Sequence, residues 1–266
     1  MLTIWGAFAS VIFLPAVAWA VEVIGWRGTV RILAVVVFVA FVLGASAVPS
    51  AKEAMASAPV PLRTVFGQTT QSRDARLFTV AVAFGGVAMS TILVYQVPAM
   101  TAAGLAPATA ATMAGLRGFA QLGGRLPLSG LVARLGADRS MIVAFGSIAI
   151  GGALLAIAGS VWVAVVFAAF AGFGIGAFSP LQGMKSAELF DRENLGATMG
   201  FYGSVLVLFG SAGPLLAGVL ADATGDRRWA AGLAALSACV AAVASLLLHQ
   251  TSPVDRATQR EAHKVV

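Results

Sequence analysis

Arg117, Gln121 and Arg125 stand four residues apart in an otherwise apolar stretch, a spacing that sets three polar side chains along one side of a helix. Arg117 falls near the middle of that stretch. An arginine at the centre of a membrane-spanning helix costs ~2.5–3.5 kcal/mol on insertion scales, so it needs a reason to be there. A planar fork of N–H donors facing a wet cavity can hold an anionic group through charge-assisted hydrogen bonds. The competing reading gives Arg117 to backbone carbonyls of a neighbouring helix. Arg125, closer to the end of the stretch, reads as a structural or gating residue at the membrane interface.

Other polar groups within apolar segments are Tyr95 and Gln96, Ser179 and Gln182 on one helix face, and Tyr202. Each taken singly reads as a helix-to-helix hydrogen bond or as a ligand contact. No carboxylate sits at mid-segment: Glu22 and Asp222 fall at one edge of their segments and Glu188 at the other, so proton coupling through Asp or Glu has no visible carrier. His249 and His263 lie at or beyond the end of the last segment. That leaves no Ser-His dyad and no HExxH zinc pair, and no Gly-rich loop is followed by Lys and Ser/Thr. No catalytic residues, metal or cofactor are assigned, and the chain is read as a non-enzyme.

The elements that carry these residues set the solvent. Hydrophobic residues make up 59% of the 266 and charged residues 11%, with a mean hydropathy of +0.91; soluble domains carry about 25% charged residues. Apolar runs fall at residues 2–24, 30–48, 77–102, 108–131, 141–158, 161–184, 195–221 and 230–248. A span needs ~20 mostly apolar residues. Backbone amides in hydrocarbon must bond within their own segment, which makes the spans helices. The expectation is an all-α, polytopic membrane bundle of about eight transmembrane helices.

Basic residues alternate between the turns. Lys52, Arg63, Arg73, Arg76, Arg134, Arg139, Lys185, Arg192, Arg256, Arg260 and Lys264 share one side, against Arg27, Arg31, Arg227 and Arg228 on the other. The positive-inside rule then puts both termini in the cytoplasm of a cell or inner membrane. The same asymmetry explains a pI near 10.4, and nucleic-acid binding is not expected. Ala18-Trp19-Ala20 resembles a signal-peptidase site, but no Lys or Arg precedes Arg27, so the first segment reads as a retained helix. The single Cys239 rules out a disulfide within the chain. Gly172 with Gly176, and Gly196 with Gly200, form GxxxG pairs that both read as close helix contacts. Pro15, Pro98, Pro127, Pro180 and Pro214 fall within or near the ends of spans, where they can kink helices.

The stretch GRLPLSGLVARLGADR from Gly124 to Arg139 resembles the cytoplasmic loop between the eighth and ninth helices of the major facilitator superfamily. GPLLAGVLADATG from Gly213 to Gly225 is similar to the outer half of that family's eleventh helix, and Gly25-Trp26-Arg27 to the turn between the fifth and sixth. The resemblance covers nearly the whole chain and aligns it with spans five to twelve of twelve. It implies two helices of an N-terminal half (1–48), a cytoplasmic linker (49–76), a six-helix C-terminal half (77–250) and a tail (251–266). The four spans before these would be absent, which implies a truncated gene or a misplaced start.

The resemblance also implies alternating-access secondary transport of a small organic solute, with the helices bearing Tyr95, Gln96, Ser179 and Gln182 lining the path. Arg125, Gly130, Arg134, Gly136, Asp138 and Arg139 would form the gating loop. The family pairs Asp with Arg before the loop glycine; here Ala133 precedes Arg134, a departure for which Asp138 is the candidate replacement. The implied partners are the lipid bilayer, a solute, and a second copy or a separate N-terminal half. The alternative is a non-transporting remnant or partner subunit.

Overall fold

Two glycines break what would otherwise be unbroken helices. Gly25 sits at φ 73°, ψ 163° and Gly136 at φ 80°, ψ 168°, a region essentially confined to glycine. In the computed structural model, which describes residues 2–47, 67, 69, 72–190 and 195–262, seven helices run through the described residues. They are α1 (Leu2–Ala47, bent at Gly25), α2 (Arg73–Ala102), α3 (Pro107–Arg125), α4 (Leu128–Ala156, bent at Gly136), α5 (Val161–Leu189), α6 (Leu195–Thr224) and α7 (Arg228–Ala262). Most of the expected linker, with Lys52 and Arg63, lies outside the described residues, as do Arg192, His263 and Lys264.

Among the described residues, six stretches are long and apolar enough to cross a membrane: Trp19–Ser46, Arg73–Ala102, Leu128–Ala156, Val161–Leu189, Leu195–Thr224 and Arg228–Gln250. The expected count of about eight is not reproduced. The first two expected spans are arms of one bent helix; the apolar stretch among its described side chains is Trp19–Ser46, and most of the first expected span falls on side chains outside the described ones. α3 does not qualify, because Gly, Thr, Gln and Arg dilute its apolar content. The boundary after it also shifts. The fourth span was expected to run to Leu131, but α3 ends at Arg125 and α4 starts behind Pro127, which has no N–H to continue a helix.

Turn chemistry explains the other ends. Ser72 and Ser160 cap α2 and α5 by accepting from the amides of Ala75 and Val163, both at 3.4 Å. Asp226 closes the α6–α7 turn, accepting from the Arg228 amide at 2.9 Å and from Arg228 Nε at 2.8 Å. That side-chain bond holds the Asp226 carboxyl below the usual carboxylate range.

α2 packs against α6 and α7, α5 against α3 and α4, and α4 against α7, while α1 leans on α3. The core they enclose includes Phe78, Ile92, Phe145, Ile148, Phe167 and Phe178. Phe145 and Phe178 meet at a ring separation of 5.0 Å over Gly85, where a Cβ would fall 2.5 Å from the Phe145 ring. α1 and α6 are the least covered of the apolar helices. In a bundle without a hydrophobic driving force between helices, such close approach over small residues is what holds neighbours together.

Candidate functional site

The third helix owes its position to glycines on the fifth. A Cβ on Gly172 would fall 2.5 Å from the Arg117 carbonyl oxygen and 2.5 Å from Ala120 Cβ. Gly176 abuts the Gln121 backbone, and Gly124, facing back, abuts the Phe173 carbonyl. The backbone of residues 117–124 therefore lies directly on α5. The two GxxxG pairs part company here, because Gly196 and Gly200 face open space with nothing within 4 Å.

With the backbone fixed, Arg117 reaches across to α2. Its Nε donates to Gln96 Oε1 at 2.8 Å, and Gln96 Nε2 donates to the Leu93 carbonyl at 3.2 Å. Gln96 thus spends its amide donor on its own helix and turns its acceptor to the guanidinium; the reversed amide would set donor against donor. Arg117 is 3% exposed, and its Nη1 is buried without a hydrogen-bond partner. Such a group costs free energy until it is paired. Gln121 lies one turn along the same face, also buried. Arg117, Gln121 and Gln96 are therefore brought together.

Arg125 continues the stripe with a different task. Pro180 has no N–H, so the Gly176 carbonyl, four residues earlier in α5, loses its helical donor. Arg125 Nε points at that oxygen from 3.4 Å. The arginine covers the defect that the proline makes in the neighbouring helix.

The remaining candidates disperse. Tyr95 is half-buried on α2 with its hydroxyl facing Gly218 of α6, where a Cβ would fall 3.0 Å away. Ser179 is exposed and Gln182 half-buried on α5. Tyr202 is fully buried: its hydroxyl donates to the Ala75 carbonyl at 3.3 Å and bonds the Thr79 hydroxyl at 3.3 Å, and Phe78, Phe190 and Phe201 surround its ring. Its contacts join α6 to α2, away from Arg117.

At the end of the bundle rich in basic residues, Gly130 faces open space and Arg134 is exposed, while Gly136 makes the α4 bend. Asp138, two residues past the bend, pairs at 2.5 Å with Lys185 Nζ of α5, a side chain with no solvent exposure. Lys185 also bonds Glu188 at 3.2 Å, and Arg139 Nε donates to His249 Nε2 of α7 at 3.1 Å. Asp138 thus does find a cation, though the cation comes from α5 rather than from the loop. From sequence, Lys185 counted only among the basic residues of a turn and His249 only as a residue at the end of the last segment; the signal available was a lysine directly at the end of an apolar run that the helix continues past.

Residues 76–265 match the profile of the Major Facilitator Superfamily, and the chain belongs to that family. Uncharacterized MFS-type transporters from three strains of Pseudomonas aeruginosa are 34% identical to it over 128 residues. The matched region is 48% of this chain, and it spans only 30% of the length of each relative. The apolar helices and the family together define a multi-pass membrane protein.

Proposed function

We propose that the chain carries a small organic anion across the membrane by alternating access, with Arg117 as the anion-binding group. The observation that carries this reading is the buried, unpartnered Nη1 of Arg117, held in place by Gln96 and flanked by Gln121. Family membership supports secondary transport as the setting, in which two helical bodies rock about a central site. α3 then crosses the bilayer despite its polarity, shielded by α5 and α2. Tyr95, Ser179 and Gln182 contribute as α2 and α5 shift, and the α4 bend with Arg134, Asp138 and Arg139 serves as a gate. The basic end, and both termini with it, faces the cytoplasm of the cell or inner membrane.

The sparsely covered faces of α1 and α6 support pairing with a second body, either another copy or a separate N-terminal half. Exposed α6 residues such as Leu208, Leu215 and Val219 would meet it. The same faces leave room for the second reading, a partner subunit without transport of its own.

The test is ligand binding by the purified chain in nanodiscs, screened by thermal shift against small carboxylates, phosphates and neutral sugars. Anions should raise the melting temperature of the wild type and fail to do so for Arg117→Ala. Arg117→Lys should recover little, since a point charge lacks the planar fork. Equal shifts in all three proteins would return Arg117 to a packing role.

A further inference from the structure

Among the described residues, four charged side chains at the basic end are linked through ion pairs and hydrogen bonds that His249 joins. Asp138 and Glu188 are the two carboxylates; Lys185 and Arg139 are the two cations. His249 makes the fifth member. Its Nε2 accepts from Arg139 Nε at 3.1 Å, and its Nδ1 stands 3.9 Å from Asp138 Oδ2. A nitrogen that accepts must carry a lone pair, so the proton of the neutral ring sits on Nδ1, facing Asp138.

We infer that His249 is a proton-responsive clasp on the α4 bend, a role independent of which solute is carried. Protonation fills the Nε2 lone pair that Arg139 uses, and it sets two cations against each other at hydrogen-bond distance. The same proton places a positive ring beside Asp138, where it competes with Lys185. Arg139 is exposed and free to swing away; Asp138 is then shared between two cations. Both residues lie within three positions of Gly136, so the change acts where α4 can bend. Ser140 Oγ donates to the Gly136 carbonyl at 2.7 Å and braces the bend from the α4 side, leaving His249 to brace it from α7.

Other charges near this end do not substitute for the imidazole. α2, packed along α7, brings Arg73, Asp74 and Arg76 to the same end, and none of them bonds His249. α6 has no charged side chain in the described part of its inner half. Histidine is the side chain whose ordinary titration falls between about pH 5 and 8.

The experiment uses the full chain in nanodiscs, comparing wild type with His249→Gln and His249→Lys by hydrogen–deuterium exchange at pH ~8 and ~5.5. Glutamine keeps an acceptor for Arg139 and cannot titrate; lysine is permanently charged. Comparison at equal pH cancels the intrinsic exchange rate. Wild type and the glutamine variant should exchange alike at the higher pH. At the lower pH the wild type should lose protection around residues 136–142 and 245–250 while the glutamine variant does not. The lysine variant should show that loss at both pH values. Parallel protection of wild type and glutamine variant at both pH values overturns the inference, as does a fully protected lysine variant. Nitrogen NMR of the wild-type imidazoles supplies a measurement without mutation: a bare Nε2 on His249 at pH ~8 is expected, and an Nε2–H tautomer there is equally fatal.

Discussion

A methyl group on Gly172 would lie 2.5 Å from the carbonyl oxygen of Arg117, so this pair of residues sets how closely α5 and α3 approach. Because the obstructing atom is backbone, it cannot rotate aside. Gly172→Ala and Gly176→Ala should each cost ~1–3 kcal/mol through overpacking. Gly196→Ala and Gly200→Ala should be neutral or stabilising, since nothing stands in the way and alanine is the better helix former by ~1 kcal/mol. Thermal unfolding of the four variants in one lipid would check this; equal effects across both pairs would discredit the contact.

The Gln96 bond to Arg117 makes a second expectation. Gln96→Glu keeps the shape of the side chain but turns the hydrogen bond into an ion pair. The guanidinium is then neutralised from within, and anion affinity should fall at least about tenfold, or ~1.4 kcal/mol. Titration of the best anion from the nanodisc screen decides the matter. Undiminished affinity would mean the anion binds elsewhere.

Lys185 and Asp138 form a pair in which neither partner is easily given up. Removing the cation alone strands a buried carboxylate, so Lys185→Met should cost ~3–5 kcal/mol. Adding Asp138→Asn to that variant should recover most of the loss, because no buried charge is left over. Stability measured across the four combinations gives the coupling directly, and strictly additive effects would argue against an ion pair.

Gly136 holds a backbone conformation that a side chain resists. Gly136→Ala should cost ~1–3 kcal/mol with no steric partner involved, since nothing lies within 4 Å of its would-be Cβ. A melting temperature equal to that of the wild type would show that the bend relaxes freely.

The helical class and the positions of α2, α5, α6 and α7 were legible from apolar runs alone, because hydrocarbon leaves a backbone few alternatives. The α3–α4 boundary was misjudged at Leu131 because the apolar residues of the short segment before Gly136 continue the hydropathy pattern across Pro127. Arg117 stood out because a charge in an apolar run is costly. Its bond to Gln96 was not legible, since the two are joined across helices rather than by any spacing. Tyr202 reads alike in sequence whether it lines a path or fills a core; only its burial beside Phe78 and Phe190 separates the two. Lys185 counted only as a basic residue of a turn for a related reason: a lysine near a helix end ordinarily reaches water, and here it turns inward to Asp138.

The polarity of α3 has a consequence in time. The helix that bears Arg117 leaves the ribosome well before the glycines of α5 that shelter it, and at ~5–20 residues per second the interval lasts seconds. During that delay α3 lacks α5, and Arg117 has Gln96 of α2 as its waiting partner. Its commitment to the bilayer is therefore expected to lag behind its synthesis. Arrested nascent chains ending before Val161 should leave α3 accessible to aqueous labelling, and chains ending after Leu189 should not.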